Sequence, residues 1–272
     1  MKKVLLAFDA ADFSQGAFEF VQRLNELQPI LLTGVFLPAY NYAPIVGPDG
    51  MVGYTMLAPE EPDREIMQQS IKQFEALCQK NGIAYRVHKD FYLFALPELK
   101  KEARFADLLI VGSETFYSNL TGSGANANLR EVVHTAECPV VVVPETFTFP
   151  ERNVLAYDGS ESSVYAIKQF AYLFPELCIN ETLLVYANPH NEAPIPEEHY
   201  VEELATQHFK NLTLFKLAAN PKKYFATLAT EEKGAIVVCG AYGRSAVSQF
   251  FKRSFVSDVI ASHKLPVFIA HP

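Results

Sequence analysis

The sequence lacks the features that mark several classes of protein. Its 272 residues contain no apolar run of about 18, the length that a membrane-spanning helix needs. The four cysteines form no close-spaced pair, which argues against a disulfide framework or a zinc motif. They are Cys78, Cys138, Cys178 and Cys239. We therefore expect reduced, buried thiols in a cytoplasmic protein that does not enter the membrane.

Basic residues are scarce relative to acidic ones. Lys and Arg number 23 and Asp and Glu 31, so the net charge is −8. An acidic chain is a poor ligand for nucleic acid or for an anionic membrane surface. Hydrophobic residues make up 49% and charged residues 20%, which is typical of a globular protein. The length favours two domains over one.

Catalytic and metal-binding signatures are also missing from the sequence. His190, His199 and His208 recur at intervals of nine, which fits neither one helix face nor a metal-ligand spacing. No nucleophile elbow accompanies a Ser-His-Asp order, and no Cys stands in a catalytic signature. The apolar opening segment is interrupted at Asp9 and is better explained as a strand than as a signal peptide. The sequence thus assigns no catalytic residue and no metal ligand.

An internal repeat organises what is present. Residues 4–9 (Val-Leu-Leu-Ala-Phe-Asp) match residues 153–158 (Asn-Val-Leu-Ala-Tyr-Asp), and a polar turn and a helical pattern follow each. Residues 107–112 match residues 235–240, since both are apolar runs that end in Gly. Two copies of one unit are therefore predicted.

The copies are predicted to form two domains, 1–145 and 151–272, joined by a short linker. Strands alternate with helices in both, which indicates α/β architecture with a parallel sheet and right-handed crossovers. We expect two tandem doubly wound α/β/α sandwiches. The first copy is about twenty residues longer, and its insertion at about 38–62 is rich in Pro, Gly and Tyr without periodicity. A long surface loop or flap is predicted there.

Strands in the first half are predicted at 3–9, 30–37, 83–88, 107–112 and 139–143. Its helices are predicted near 14–27, 63–81, 96–105 and 127–136. Strands in the second half are predicted at 153–158, 181–187, 212–217, 235–240 and 266–270. In such sheets, ligands bind beyond the carboxyl ends of the strands. Asp9 and Gly112 should face one crevice, and Asp158 and Gly240 the other.

The loop after Gly240 contains a second glycine, Gly243, and the cations Arg244, Lys252 and Arg253. Glycines after a strand let backbone N–H groups approach an anion. Ser254 opens the last helix, where it either caps that helix or donates its hydroxyl to a phosphate.

These motifs resemble the universal stress protein family. The resemblance rests on Asp158-Gly-Ser-x-x-Ser after the first strand and on Gly240-x-x-Gly-Arg-Ser after the fourth, and it covers the chain as two tandem copies. It implies the adenine nucleotide alpha hydrolase-like, Rossmann-like fold, with five parallel strands in the order 3-2-1-4-5. Family members pair through their last strands, so it also implies an intrachain pseudo-dimer. A further homodimer stays open.

The family's ATP pattern is Gly-x2-Gly-x9-Gly-Ser/Thr. Gly240, Gly243 and Ser254 match it, whereas Arg253 replaces the third glycine. Asp158 matches the family's acidic residue beside the nucleoside. Arg253 either fills the phosphate site or offers a guanidinium to an anion. The candidate nucleotide-binding residues are Asp158, Gly240, Gly243, Arg244, Arg253 and Ser254.

The first half departs further from the pattern. Asp9 and Gly112 match, but Thr115 replaces the second glycine, and Asn126-Ala127 stands where Gly-Ser is expected. The first-half site, with Asp9, Gly112 and Thr115, is therefore predicted to be degenerate and not to bind a nucleotide.

A non-catalytic stress-response module that binds a small anionic ligand is the function expected from these observations. ATP and AMP are the candidate ligands and Mg²⁺ a candidate companion ion, although the sequence assigns none of them. One alternative is a slow ATP-hydrolysing or phosphotransfer enzyme. The other is a ligand-free structural adaptor. In it, Asp9 and Asp158 stabilise turns, and Gly112 and Gly240 only allow the chain to turn after a strand.

Overall fold

The computed structural model describes most of the chain. The described residues are 1–9, 13–37, 41–46, 52–57, 61–88, 95–114, 132–133, 135–189, 194–240, 259–260 and 262–272. In these ranges no helix is long and apolar enough to cross a membrane.

Twelve strands and six longer helices make up the regular structure of the described residues. The strands are β1 (Lys2–Asp9), β2 (Ile30–Leu37), β3 (Asn41–Val46), β4 (Val52–Leu57), β5 (Ala84–His88), β6 (Leu108–Gly112), β7 (Val140–Val143), β8 (Arg152–Ala156), β9 (Glu181–Ala187), β10 (Asn211–Leu217), β11 (Ala235–Gly240) and β12 (Val267–Ala270). The helices are α1 (Gln15–Leu27), α2 (Glu61–Lys80), α3 (Ala95–Ala103), α4 (Glu161–Leu173), α5 (Glu198–His208) and α6 (Pro221–Glu231). A 3-10 turn covers Leu177–Ile179. The predicted helix at 127–136 lies largely outside the described residues, which are helical at 132–133 and 135.

Ten of the strands form one sheet, in the order β10-β9-β8-β11-β12-β7-β6-β1-β2-β5. Within each half this is the predicted order 3-2-1-4-5, with parallel neighbours. The doubly wound α/β fold is confirmed. Instead of two separate five-stranded sheets, the halves share one sheet because their last strands pair.

That pairing is antiparallel and joins β7 to β12. Val142 lies opposite Val267, and Val141 lies opposite Phe268. Side chains alternate across the sheet, so each face of the joint contributes to a separate core layer. One layer packs beneath α1, α2, α4 and α5 and the other beneath α3 and α6, and both run through the joint from one half into the other.

The helices begin and pack as their sequences predict. Ser14 caps α1 by accepting a hydrogen bond from the Ala17 N–H at 3.2 Å, and Ser160 caps α4 in the same way. The apolar face of α2 is directed into the core, where Ile71 and Phe74 are buried.

The insertion in the first half contains regular structure. β3 and β4 form a two-stranded antiparallel ribbon, with Asn41 opposite Leu57 and Val46 opposite Val52. The prediction of a loop without regular structure is therefore wrong for 41–46 and 52–57. Pro44 argues against a central strand, but each strand of a two-stranded ribbon is an edge, where a missing N–H is tolerated.

The linker between the halves is packed against both of them. Phe147 and Phe149 contact Phe20 of α1, with ring centroids 5.8 and 5.4 Å apart. The N–H groups of Glu151 and Arg152 donate to the Gly234 carbonyl, which precedes β11. Besides connecting the two units, these residues therefore help to hold them together.

Lys2 makes a second contact between the halves. Its ammonium donates to the Leu173 carbonyl at the end of α4 and lies 6.0 Å from the centre of the Phe174 ring. A cation at a helix C-terminus is favourable because the last carbonyls carry partial negative charge. Burial lowers the pKa of Lys2, and the neighbouring carboxylates of Glu176 and Asp107 oppose that shift.

The approach of α1 to the linker predicts the effect of substituting Gly16. A Cβ at this position would lie 2.1 Å from the Pro144 carbonyl oxygen and 2.7 Å from the Glu145 Cα. Gly→Ala within a helix usually stabilises a protein. Here we expect Gly16→Ala to lower the free energy of unfolding by about 1–3 kcal/mol, because the new Cβ would force the backbone of Pro144 and Glu145 to move.

Chemical denaturation measures this change, and Gln15→Ala at the exposed neighbouring position is the matched control. A stabilised Gly16→Ala protein would contradict the packing described for α1.

Candidate functional site

The second-half crevice lies where the order of strands reverses, between β8 and β11. The chain leaves β8 toward β9 on one side, while β11 pairs with β8 on the other. Asp158 follows the end of β8 by two residues, and Gly240 is the last residue of β11. Both therefore lie at the carboxyl edge of neighbouring strands, which is where open α/β sheets bind ligands.

Asp158 holds the turn that leads into α4. Its Oδ1 accepts a hydrogen bond from the Ser160 N–H at 2.9 Å, and Gly159 between them has a φ of 80°. Ser160 Oγ in turn accepts from the Ser163 N–H at 3.1 Å. One oxygen of the carboxylate thus fixes the N-terminus of α4 beside the crevice.

Gly240 allows β11 to approach the start of α4. A Cβ on Gly240 would lie 2.5 Å from the Ser162 carbonyl carbon and 2.7 Å from the Ser163 backbone nitrogen. No real side chain tolerates such distances, so this position requires glycine whether or not a ligand binds. The packing role accounts for the residue, and its role in ligand binding stays a prediction.

A segment after β9 lies against the turn at Asp158. The Tyr157 hydroxyl donates to the Pro196 carbonyl at 2.8 Å, and a Cβ on Gly159 would lie 2.7 Å from the Pro196 Cβ. Burial raises the pKa of Tyr157, and the nearby carboxylates of Glu197 and Asp158 raise it further. Tyr157 is therefore a neutral hydrogen-bond donor that fixes this segment.

The loop predicted to hold an anion lies outside the described residues. This applies to Gly243, Arg244, Lys252, Arg253 and Ser254, and in the first half to Thr115. Their roles stay predictions, and the structure places only Asp158 and Gly240 of the second-half set.

The first half has the same arrangement of strand ends. Asp9 ends β1 and Gly112 ends β6, and these strands pair directly. Gly112 is followed by Ser113 and Glu114, which occupy the two unspecified positions of the family pattern. Glu114 Oε2 accepts from the Glu145 N–H at 2.7 Å, and Glu145 Oε2 accepts from the Gly16 N–H at 3.1 Å. Carboxylates of the chain itself therefore accept hydrogen bonds from backbone N–H groups at this edge.

A residue of the second half reaches this cluster. His263, in the turn before β12, places its Nδ1 2.7 Å from Ser113 Oγ and 3.7 Å from Glu114 Oε1. His263 has a φ of 50°, which is uncommon for a residue other than glycine. Sequence reasoning missed this contact, which joins positions 150 residues apart. The sequence held no signal for it, because Ser113 and Glu114 occupy the two unspecified positions of the family pattern.

The cysteines and histidines form no reactive or metal-binding arrangement in the described part of the chain. Its four cysteines are free thiols, and no group of three or more His, Cys, Asp or Glu side chains could hold a metal ion. Burial raises the pKa of Cys78, Cys138 and Cys178 to about 12 and raises that of Cys239 further.

Solved structures of universal stress proteins match this fold over nearly the whole chain. One from Archaeoglobus fulgidus has a TM-score of 0.69 and 15% identity, and the match covers 99% of this chain and 96% of that one. A Pseudomonas aeruginosa protein provisionally assigned to the same family has a TM-score of 0.55 and 10% identity, covering 99% of this chain and 92% of its own. A P. aeruginosa protein of unknown function has a TM-score of 0.54 and 11% identity, covering 100% and 93%.

No protein-family model matches the chain, and no curated protein matches it in sequence. The chain has the universal stress protein fold, and the predicted resemblance is thereby confirmed at the level of structure.

The raised cysteine pKa values predict slow labelling of the native protein. The thiolate is the reactive form, so a pKa near 12 rather than about 8.5 lowers its population by roughly a thousandfold near pH 8. We expect Ellman's reagent to react with native thiols roughly a thousandfold more slowly than with free cysteine. All four should react once guanidinium unfolds the chain, and rapid native labelling would contradict the described burial.

The Glu114 contacts predict that substitution of this residue destabilises the protein. Glu114→Ala removes the acceptor of the Glu145 N–H, and we expect the free energy of unfolding to fall by about 1–3 kcal/mol. Glu114→Gln is the matched control because its amide oxygen can still accept that bond, so its loss should be smaller. Urea titration of the three proteins measures the difference, and equal losses for Ala and Gln would show that the bond is unimportant.

Proposed function

We propose that the chain is a tandem universal stress protein, a non-catalytic stress-response module of the cytoplasm whose second half binds a nucleotide or another small anion. The observation that carries the proposal is the position of Asp158 and Gly240. In a chain with the universal stress protein fold, they end neighbouring strands at the strand-order reversal. Arg244, Arg253 and Ser254 add cations and a hydroxyl to the loop that follows Gly240.

The two halves support this proposal differently. In the first half, Glu114 and Glu145 place carboxylates at the carboxyl edge, and both accept backbone N–H groups. Negative charge there opposes the approach of an anionic ligand. In the second half, the structure describes Asp158 at the corresponding edge and Glu197 near Tyr157 beside it, and the loop after Gly240 adds the cations Arg244, Lys252 and Arg253. One ligand per chain, bound in the second half, is therefore the proposed stoichiometry.

A ligand-free adaptor is the second candidate, and specific contacts favour it. Close packing against α4 explains Gly240, and the bond to the Ser160 N–H explains Asp158, without any ligand. In this case the geometry of the crevice would serve only the packing of α4 on the sheet, and the molecule would act through its surface.

Ligand binding separates these candidates. A ligand that binds only the folded state raises the melting temperature, by about 2.7 kcal/mol of added stability at a hundred times its Kd. We expect ATP or AMP, tested with and without Mg²⁺, to raise the melting temperature by several degrees. Isothermal titration should then give one site per chain. No shift with ATP, AMP or a cyclic dinucleotide would support the adaptor and overturn ligand binding.

The matched variants are Asp158→Asn and Asp9→Asn. Asparagine keeps an oxygen that can accept the Ser160 N–H and removes the charge, so the ligand-free protein should stay folded. We expect Asp158→Asn to weaken binding by about tenfold, or 1.4 kcal/mol, and Asp9→Asn to leave it unchanged. Equal losses of affinity in the two variants would contradict a second-half site.

ATP turnover at an enzyme-like rate that Asp158→Ala abolishes would overturn the non-catalytic assignment.

A further inference from the structure

Strand β10 ends the ten-stranded sheet on the second-half side. Its seven residues pair with β9 in parallel, with Asn211 opposite Glu181 and Leu217 opposite Ala187. No strand of the described part of the chain pairs with its other side. Along that side, alternate N–H and C=O groups point away from the sheet and can bond to another strand.

The strand has few of the devices that usually protect an edge. Its sequence, Asn-Leu-Thr-Leu-Phe-Lys-Leu, has no Pro or Gly and one charge, at Lys216. None of its seven residues is buried, and Phe215 is 41% exposed. Leu212 and Leu214 pack against the core, so the apolar surface that β10 leaves to solvent is chiefly that of Phe215, beside backbone groups that a partner strand would cover.

The opposite edge of the sheet is protected. β5 has five residues and carries Arg86 and His88. The His88 imidazole bonds to Glu102 at 2.9 Å, which places a charged group beside the edge. None of the five residues of β5 is buried either, so the two edges differ in length and in charge rather than in exposure.

We propose that β10 is a dimerisation edge, which pairs antiparallel with β10 of a second copy of this chain about a two-fold axis. The strand is self-complementary when Leu214 lies on the axis. Thr213 then faces Phe215, and Leu212 faces Lys216. A β-branched residue opposite an aromatic one is a favourable cross-strand pair, and no like charges meet.

Two further observations favour a second copy. The chain already joins two half-sheets by antiparallel pairing of end strands, at β7 and β12, so the proposed interface repeats a joint that this fold forms. Ile179 is 55% exposed, and its carbonyl accepts from the Asn211 Nδ2 at 2.8 Å. The exposed side chain of Ile179 thus extends the apolar surface beyond Asn211, the first residue of β10. In the proposed register, the C-terminal end of the partner's β10 would lie there.

A charge-reversal experiment tests the interface. Thr213→Lys/Phe215→Lys places lysine opposite lysine in the proposed register, and Thr213→Glu/Phe215→Glu places glutamate opposite glutamate. Analytical ultracentrifugation of the full chain over a wide concentration range should show a wild-type dimer. Each double variant should dissociate with a Kd raised by about tenfold or more, since like charges directly opposite repel.

An equimolar mixture of the two double variants should recover the dimer, because unlike charges then face each other. Ala84→Lys, at the exposed start of β5, is the control and should leave association unchanged. Unchanged melting temperatures show that each variant is folded. A wild-type monomer at every concentration would overturn the proposal and leave an extended peptide as the occupant. Dimerisation that survives both double variants, or a mixture that does not recover, would also overturn it.

Discussion

The antiparallel pairing of β7 with β12 is the interaction on which the rest of the structure depends. It converts two five-stranded parallel sheets into one sheet, and both core layers pass through it. Because the strands on each side are apolar on both faces, neither half could expose this edge to water at low cost. The packed linker and the contact of Lys2 with the end of α4 then fix the halves from outside the sheet. The pairing also places the turn at His263 beside the carboxyl edge of the first half.

The two halves differ around this shared joint. Ser113 and Glu114 of the first half, which stand where a phosphate-binding backbone is expected, contact the linker and the second half instead. In the second half, the corresponding edge keeps Gly240 against the N-terminus of α4. One copy therefore contributes its strand-end residues to the assembly of the chain. The other retains the geometry on which the proposed ligand site rests.

Much of the fold could be predicted from the sequence, because the repeat aligned the first and fourth strands of each half and the family resemblance supplied their order. The ribbon at β3 and β4 could not be predicted, since Pro44 and Gly53 obscured any alternation of apolar residues. For the site, the strand order alone predicts that Asp158 and Gly240 lie at the same edge of the sheet. The packing role of Gly240 was beyond reach, because it depends on a backbone distance to Ser162 that local sequence does not encode. The contact of His263 with Ser113 was equally hidden, since it arises only after β12 has paired.

The distance along the chain between β7 and β12 has a consequence for synthesis. β7 consists of four valines, and its partner strand follows roughly 125 residues later. At about 5–20 residues per second, a ribosome needs roughly 6–25 s to deliver that partner. During this interval the nascent first half presents a short, uncharged, β-branched edge, the type of segment that pairs readily with other chains. The separation of these paired strands therefore carries a kinetic hazard during translation, which ends when β12 leaves the ribosome and closes the sheet.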